Sequence, residues 1–232
     1  MSLMDILKTK IDAETLKTMH IERLGELCDE RFKREKSSYN AFISIRDGFN
    51  WRYHTILKFT QFRFRGKKTA KELKVLEIGP GQGALSYQFK KAGLHVTCMD
   101  PSKECLAHCY NEAGVDEIMQ GRIEGIPFAP ESFDIIVASE VLQMSYNPRA
   151  AIQQCYRACK VGGVMFITVP MGREFLDEMT LQFFDFYTLS DIAKTCTQDY
   201  TIIKTNHGDK EGIRNTWVLI MYKNESEART DE

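Results

Sequence analysis

Residues 75–85 read Val75-Leu76-Glu77-Ile78-Gly79-Pro80-Gly81-Gln82-Gly83-Ala84-Leu85, and the order of these residues decides the fold. A run of apolar, β-prone residues leads into three glycines, after which the pattern turns helical. Glycine takes left-handed backbone angles at no steric cost and lets a ligand approach the main chain where a side chain would block it. The helix opening near Gly83 turns unpaired amide N–H groups into the same space. Asp100 stands at the end of the next apolar run, where a carboxylate can accept hydrogen bonds from both hydroxyls of a ribose. Strand, glycine turn, helix, strand and acid make an adenosine-binding arrangement.

Outward from this segment, residues 73–78, 95–99, 117–120, 133–138 and 164–169 read as strands, and 84–91, 102–112 and 148–159 as helices. This alternation predicts an α/β fold, a doubly wound and mostly parallel sheet covered on both faces. The end of the chain differs. A helix over 189–196 precedes two β-prone runs, 200–205 and 216–222, joined by a loop short enough for a hairpin, so the sheet should finish with an antiparallel strand. Upstream, 12–36 and 50–64 carry apolar residues near the 3.6 period. The expected organisation is an N-terminal helical cap over 1–71, a core over 72–223 and an acidic, frayed tail over 224–232.

The 232 residues are 43% hydrophobic, 27% charged and 11% aromatic with six prolines, which suits one substantial core and excludes fibrous, low-complexity and disordered classes. No apolar run approaches the roughly 18–20 residues that span a bilayer. The N-terminus becomes charged too early for a signal peptide, so a cytoplasmic protein is expected. Seven cysteines, an odd number without a secretory signal, predict reduced thiols. Cys105-x-x-His108-Cys109 has no second ligand pair at zinc-site spacing, so no metal is expected. Cys105/Cys109 and Cys155/Cys159 are i, i+4 pairs in helical patterns and read as small buried packing residues.

The net charge of -1 conceals an uneven distribution. From Arg31 to Lys71 twelve basic residues face only Glu35 and Asp47, a surplus of ten interleaved with nine aromatic rings. Such a segment suits an anionic ligand or a nucleic-acid strand, and equally an amphipathic helical layer with rings inward and charges in water.

On the residues alone, two ligands compete for the glycine loop. Gly79-x-Gly81-x-x-Ala84 satisfies the dinucleotide fingerprint. Glu77, however, would set a carboxylate near a pyrophosphate and suits a cationic ligand better, such as the α-ammonium of a methionine moiety.

Five segments in order, 75–83, 96–102, 120–128, 132–142 and 160–163, together resemble the motif set of class I S-adenosylmethionine-dependent methyltransferases, closest to the small-molecule branch that includes ubiquinone-biosynthesis O-methyltransferases. The resemblance covers about residues 73–169 and implies a Rossmann-like, seven-stranded sheet with an antiparallel last strand. It also implies S-adenosylmethionine as cofactor and S-adenosylhomocysteine as product. By position, Glu77 would face the methionine amino group, while Gly79, Gly81 and Gly83 wrap the methionine and ribose. Asp100 would take the ribose hydroxyls, Pro101 would pack on adenine, and Arg122 and Ile123 would bracket its other side. Ser139 would contribute backbone near the sulfonium. The family often has Asp where Arg122 stands; arginine accepts no hydrogen bond, so the adenine contact falls to backbone, Gln120 or Glu124. Asn50 to Ile56 resembles the pre-core helix in which an arginine reaches the methionine carboxylate, here Arg52.

The implied reaction needs mainly alignment of an acceptor in line with the S–CH₃ bond and exclusion of water. Many small-molecule members carry a histidine base after strand 4, but this chain reads Leu142-Gln143-Met144, and Gln143 is no base, so no catalytic residue is assigned. Phe175, Leu176, Phe183, Phe184, Phe186 and Tyr187, with Tyr39, Phe42 and Trp51, stand where an acceptor pocket or lid is expected. The expected function is methylation of a small molecule by a monomer or homodimer. RNA or protein acceptors, and cofactor binding without catalysis, are the alternatives.

Overall fold

The computed structural model describes residues 23–30, 32–33, 51–171, 180–209 and 212–224, with the backbone alone at 51–53, 206–209 and 212–214. Residues 23–30 are helical. Helix α1 (Trp51–Phe64) follows, then β1 (Lys74–Ile78), α2 (Ala84–Lys91), β2 (His95–Asp100), α3 (Lys103–His108), β3 (Glu117–Gln120) and β4 (Phe133–Ser139). Helix α4 (Pro148–Ala158), β5 (Cys159–Pro170), α5 (Phe186–Ala193), β6 (Tyr200–Asp209) and β7 (Gly212–Tyr222) complete the order.

The seven strands form one sheet in the order β3-β2-β1-β4-β5-β7-β6. The first five are parallel to one another, and β7 runs antiparallel between β5 and β6. A dinucleotide-binding sheet typically has order 3-2-1-4-5-6; the inserted antiparallel β7 separates this fold from it.

Successive side chains of a strand point to opposite faces, and here both faces are covered. Leu76, Ile78, Ile136 and Ala138 pack with Ile152 of α4 and Leu189 of α5. Val75, Ile135 and Val137 pack on the other face with Ile56 and Phe64 of α1, Phe89 of α2 and Leu106 of α3. The central strands therefore read as unbroken apolar runs rather than alternating ones. Helix α1, expected in the cap, contributes to this core. Local chemistry sets the helix starts: Ser102 caps α3 by accepting from Cys105 N at 3.0 Å, and Asn147 caps α4 ahead of Pro148 by accepting from Ala150 N at 3.1 Å.

Three elements differ from the sequence expectation. The helix expected over 102–112 stops at His108 and continues as a widened π turn, Cys109–Ala113, that ends on left-handed Gly114. Cys159 opens β5 instead of closing α4, because a register shift between Phe133/Ile135 accommodates extra residues around Gly162; Cys155 and Cys159 thus do not share a helix face, though both are fully buried. The final hairpin is longer than its apolar runs, with pairing continuing to Asp209 and Gly212. Residue 224 is tied to the body, Asn224 accepting from Arg63 at 3.3 Å; the rest of the expected tail lies outside the described residues. Among the described residues no helix is long and apolar enough to cross a membrane.

At the amino end of the parallel strands, buried Asp134 accepts from Lys68, from Lys160 at 2.8 Å and from Lys74 N at 3.0 Å. Burial works to raise this carboxyl, but the bonds from Lys160 and Lys68 outweigh it and hold it below the usual range.

Candidate functional site

The cleft lies at the carboxyl ends of β1, β2 and β4, where the order turns outward on both sides of β1, the place where α/β sheets bind ligands. It is a small, partly open cleft lined by Ile78, Gly79, Asp100, Pro101, Arg122, Ile123 and Glu124, among others. These come from the turn after β1, the end of β2 and the turn after β3.

All three glycines of the loop are left-handed, with φ of 66° at Gly79, 56° at Gly81 and 75° at Gly83. A Cβ on Gly79 would stand 2.3 Å from Val141 Cγ2, and one on Gly83 would press on Ala113 and Cys109. A Cβ on Gly81 would meet nothing within 4 Å. Gly79 and Gly83 are thus also required by packing, whereas Gly81 presents bare backbone to open space. Helix α2 starts at Gly83 without a side-chain cap, leaving its first amides for a ligand.

Two buried carboxyls stand behind this loop. Asp100, 7% exposed, accepts from Ser102 N at 2.8 Å; burial pushes its pKa up to about 6, against that bond, and Asp29 nearby adds to the rise. Glu77, 2% exposed, accepts from Ser86 Oγ, and burial raises it to about 7. Ser86 Oγ also lies 3.1 Å from Cys98 Sγ, and Cys105 Sγ donates to Gly81 O at 2.9 Å. Burial raises the Cys155 thiol as well, in keeping with cysteines used for packing. Among the described residues no group of His, Cys, Asp and Glu can hold a metal ion.

Of the residues singled out from the sequence, Gly79, Asp100, Pro101, Arg122 and Ile123 line the cleft. Gly81, Gly83 and Glu77 form the loop and the wall behind it. Ser139, at the end of β4, turns its hydroxyl to Thr168 Oγ1 at 3.1 Å. Arg52 lies in α1, and its side chain is outside the described residues. The Arg122 guanidinium is engaged by Glu124 at 3.3 Å and lies over the Tyr146 ring at 5.4 Å. Glu124 is held in the cleft wall by Ser145 Oγ at 2.8 Å and Tyr146 N at 3.0 Å, while Gln120 turns away to donate to Pro101 O at 3.0 Å.

Sequence reasoning missed the wall from the N-terminal helix. Leu24 and Cys28, one helical turn apart, line the cleft; their spacing carried the signal, but an apolar stripe reads first as core. Asp29 fastens this helix by accepting from Ser102 Oγ and, at 3.4 Å, from Glu104 N, and the Phe32 ring lies 5.3 Å from that of His108. Val141, Met144 and Ser145 after β4 complete the lining.

The expected aromatic lid is partly described. Phe184 is buried, whereas Phe183, Phe186 and Tyr187 are exposed, and Phe186 stacks toward Trp217 at 6.3 Å. Phe175, Leu176, Tyr39 and Phe42 fall outside the described residues, as does the side chain of Trp51. In the basic segment, Arg63 donates to Gly162 O at 3.3 Å and Lys68 pairs with Asp134, so two of its cations are used at the amino end of the strands, opposite the cleft.

A bare-backbone turn, an uncapped helix start and a buried acid at the ribose position fit an adenosine-bearing ligand. Residues 76–167 match a family model described as a methyltransferase domain. The chain is similar to malonyl-[acyl-carrier protein] O-methyltransferase of Enterobacter lignolyticus, 33% identical over 95 residues, which is 41% of this chain and 38% of that protein. It is also similar to the mitochondrial ubiquinone biosynthesis O-methyltransferase of Mus musculus, 32% identical over 104 residues, 41% of this chain and 28% of that protein. The chain therefore covers well under half the length of these curated relatives. Among solved structures, a phosphoethanolamine N-methyltransferase of Haemonchus contortus in complex with S-adenosylhomocysteine shares the fold, at TM-score 0.61 and 19% identity over 76% of this chain and 54% of that one.

Proposed function

We propose that residues 76–167, which match a methyltransferase domain, form a class I S-adenosylmethionine-dependent methyltransferase domain of the small-molecule branch, and that this chain transfers a methyl group from S-adenosylmethionine to a small molecule. The observation that carries the reading is the pairing of the open backbone at Gly81 with the buried acid Asp100 in the cleft at the end of β2. When bound, the cofactor supplies an electrophilic methyl group on a sulfonium. The chain supplies position: Asp100 receives the two ribose hydroxyls, Pro101 and Ile123 pack on the adenine faces, and Arg122 with Glu124 closes its edge. Glu77, behind the loop, offers a negative charge to the α-ammonium. Gly79, Gly81 and Gly83 admit the methionine against the backbone, Ser139 stands at the reacting end, and Arg52 reaches for the carboxylate. Leu24 and Cys28 cover the cleft and keep water out.

The relatives are named for O-methylation of malonyl-[acyl-carrier protein] and for an O-methylation in ubiquinone biosynthesis, and a small-molecule acceptor is the inference for this chain. The domain limits of 1–71 for the cap and 72–223 for the core, a monomeric or homodimeric state and a cytoplasmic location, in keeping with seven free cysteines, belong to the same proposal. Calorimetry tests it: S-adenosylhomocysteine should bind saturably and NAD should not, and the reverse would sink the assignment. A transfer assay with labelled methyl donor against metabolite pools and RNA in parallel then identifies the acceptor class.

A further inference from the structure

Cys105 meets both cofactor-binding elements from behind. It stands on the first turn of α3 and is 3% exposed. Its Sγ donates to Gly81 O at 2.9 Å and also to the Asp100 carboxylate, a bond that opposes the rise of that acid. Cys109, fully buried, reaches the same Gly81 oxygen only at 3.6 Å and donates to the Cys105 sulfur. That bond works to lower the Cys105 thiol, but burial and the charge of Asp100 outweigh it and push it up to about 11. The thiol therefore keeps its hydrogen at neutral pH and has it to give.

The surroundings make this hydrogen matter. Among the described residues no backbone N–H donates to Gly81 O, so the two thiols hold that carbonyl toward α3. In a planar trans peptide the next N–H points opposite to the C=O. Gln82 N–H is thus aimed away from α3, it has no acceptor among the described residues, and a Cβ on Gly81 beside it would meet open space. The thiol itself is anchored: Cys105 N donates to Ser102 Oγ at 3.0 Å, and Ser102 N donates to Asp100 at 2.8 Å. Packing alone accounts for a small buried side chain here, but not for one hydrogen directed at acceptors beyond two different strands.

We propose that Cys105 is a positioning residue of the cofactor site, its one thiol hydrogen shared between Gly81 O and Asp100 so that the turn after β1 is set against the ribose acid and Gln82 N–H faces the ligand. This rests on the methyl-transfer reading and adds to it a residue outside the cleft lining. The titratable and charged groups around Asp100 are Asp29 from the N-terminal helix, Cys105 on α3, and Arg122 and Glu124, which pair with each other on the wall after β3. Around Cys105 they are Asp100, Cys109 and Cys98. Removing the thiol leaves the others in place, so Asp100 loses a donor to its charged form and should take up a proton more readily.

The test compares Cys105→Ala with Cys105→Ser in the full chain, two side chains that differ by one hydroxyl. At about pH 8, where Asp100 is ionised, Cys105→Ala should bind S-adenosylhomocysteine about tenfold more weakly than the wild type, and Cys105→Ser should stay within about threefold of it. Carbon NMR of the aspartate carboxyls in the free protein gives a readout that packing would not move. The Asp100 midpoint, about 6 in the wild type, should rise by about half a pH unit or more in Cys105→Ala and return toward the wild-type value in Cys105→Ser. Affinity of Cys105→Ala within about twofold of the wild type, equal losses in the two variants, or an Asp100 midpoint that stays in place in Cys105→Ala overturns the proposal. A crystal structure of the wild-type complex with S-adenosylhomocysteine needs no variant: Cys105 Sγ should lie within hydrogen-bonding distance of Gly81 O and Asp100, and a thiol turned away from them overturns the role. A wild-type chain that fails to bind S-adenosylhomocysteine overturns the methyl-transfer reading itself, while the carboxyl titration of the free protein still decides the bond to Asp100.

Discussion

The two ends of the parallel strands treat buried acids in opposite ways. At the amino end, Asp134 is surrounded by Lys68, Lys160 and a backbone amide, and its carboxyl is held below its ordinary value. At the carboxyl end, Asp100 and Glu77 have hydrogen bonds from Ser102 N and Ser86 Oγ but, among the described residues, no cation paired with them, and burial raises them to about 6 and about 7. The first end is complete as folded, whereas the second holds two acceptors that a ligand with hydroxyls and a cation would satisfy. Stability and binding are thereby separated along the strands: the charge that locks the sheet is remote from the charges that recognise the cofactor.

The largest expected effect bears on this separation. Asp100→Ala should weaken S-adenosylhomocysteine binding about 100-fold, the loss of two hydrogen bonds to a charged group, while thermal stability stays level or rises because a buried, uncompensated carboxyl is removed. Calorimetry and a melting curve read both, and unchanged affinity would remove the ribose role. Acidification should come next. Because the raised pKa values keep protons on Glu77 and Asp100 in the free protein, affinity should fall about ten- to thirtyfold from pH 8 to pH 5.5, and Glu77→Gln should flatten much of that slope. A pH-independent affinity in the wild type would break the comparison.

The sign for folding follows from the same shifts. A raised carboxyl binds more protons folded than unfolded, so the stability it confers is present at low pH and is lost as pH rises through about 6 to 7 at these two groups. Asp134 is the reverse, stabilising above its unfolded value and losing that contribution as pH falls. Asp134→Asn should accordingly cost about 2 kcal/mol of stability at neutral pH, read by denaturant titration, with cofactor affinity unchanged; a loss of affinity would show that the two ends are coupled. The smallest effect is expected at the clasp. Asp29→Ala removes the acceptor that fastens the N-terminal helix to Ser102 and should cost about 1 kcal/mol, seen as a faster release of S-adenosylhomocysteine, with Asp100 titrating lower once Asp29 is gone.

Much of the core was legible in the sequence because its signals are local. Helix α2 and strand β3 begin and end where the apolar pattern changes, and the loop glycines announced left-handed backbone before any contact was known. The cleft was legible only in part. Asp100, Pro101 and Ile123 follow strand ends and could be read by position. Leu24 and Cys28 arrive from a helix more than seventy residues upstream of Asp100, and nothing in their own neighbourhood distinguishes a cleft wall from core. Arg122 stands where an acceptor was expected, and only the fold brings Glu124, Ser145 and Tyr146 around it. The basic segment was the least legible: its surplus charge suggested a partner surface, yet Arg63 and Lys68 are spent on Gly162 and Asp134.

By itself, the sequence determined the order of strands and helices, the glycine turn and the acid that follows it, because backbone freedom and side-chain period are properties of neighbouring residues. The tertiary structure alone decided that β7 inserts between β5 and β6, and that Glu77 and Asp100 hold their protons toward neutrality while Asp134 gives up its own. Register depends on partners distant in the chain, and the ionisation of an acid depends on the water and charge that folding removes from it or brings to it.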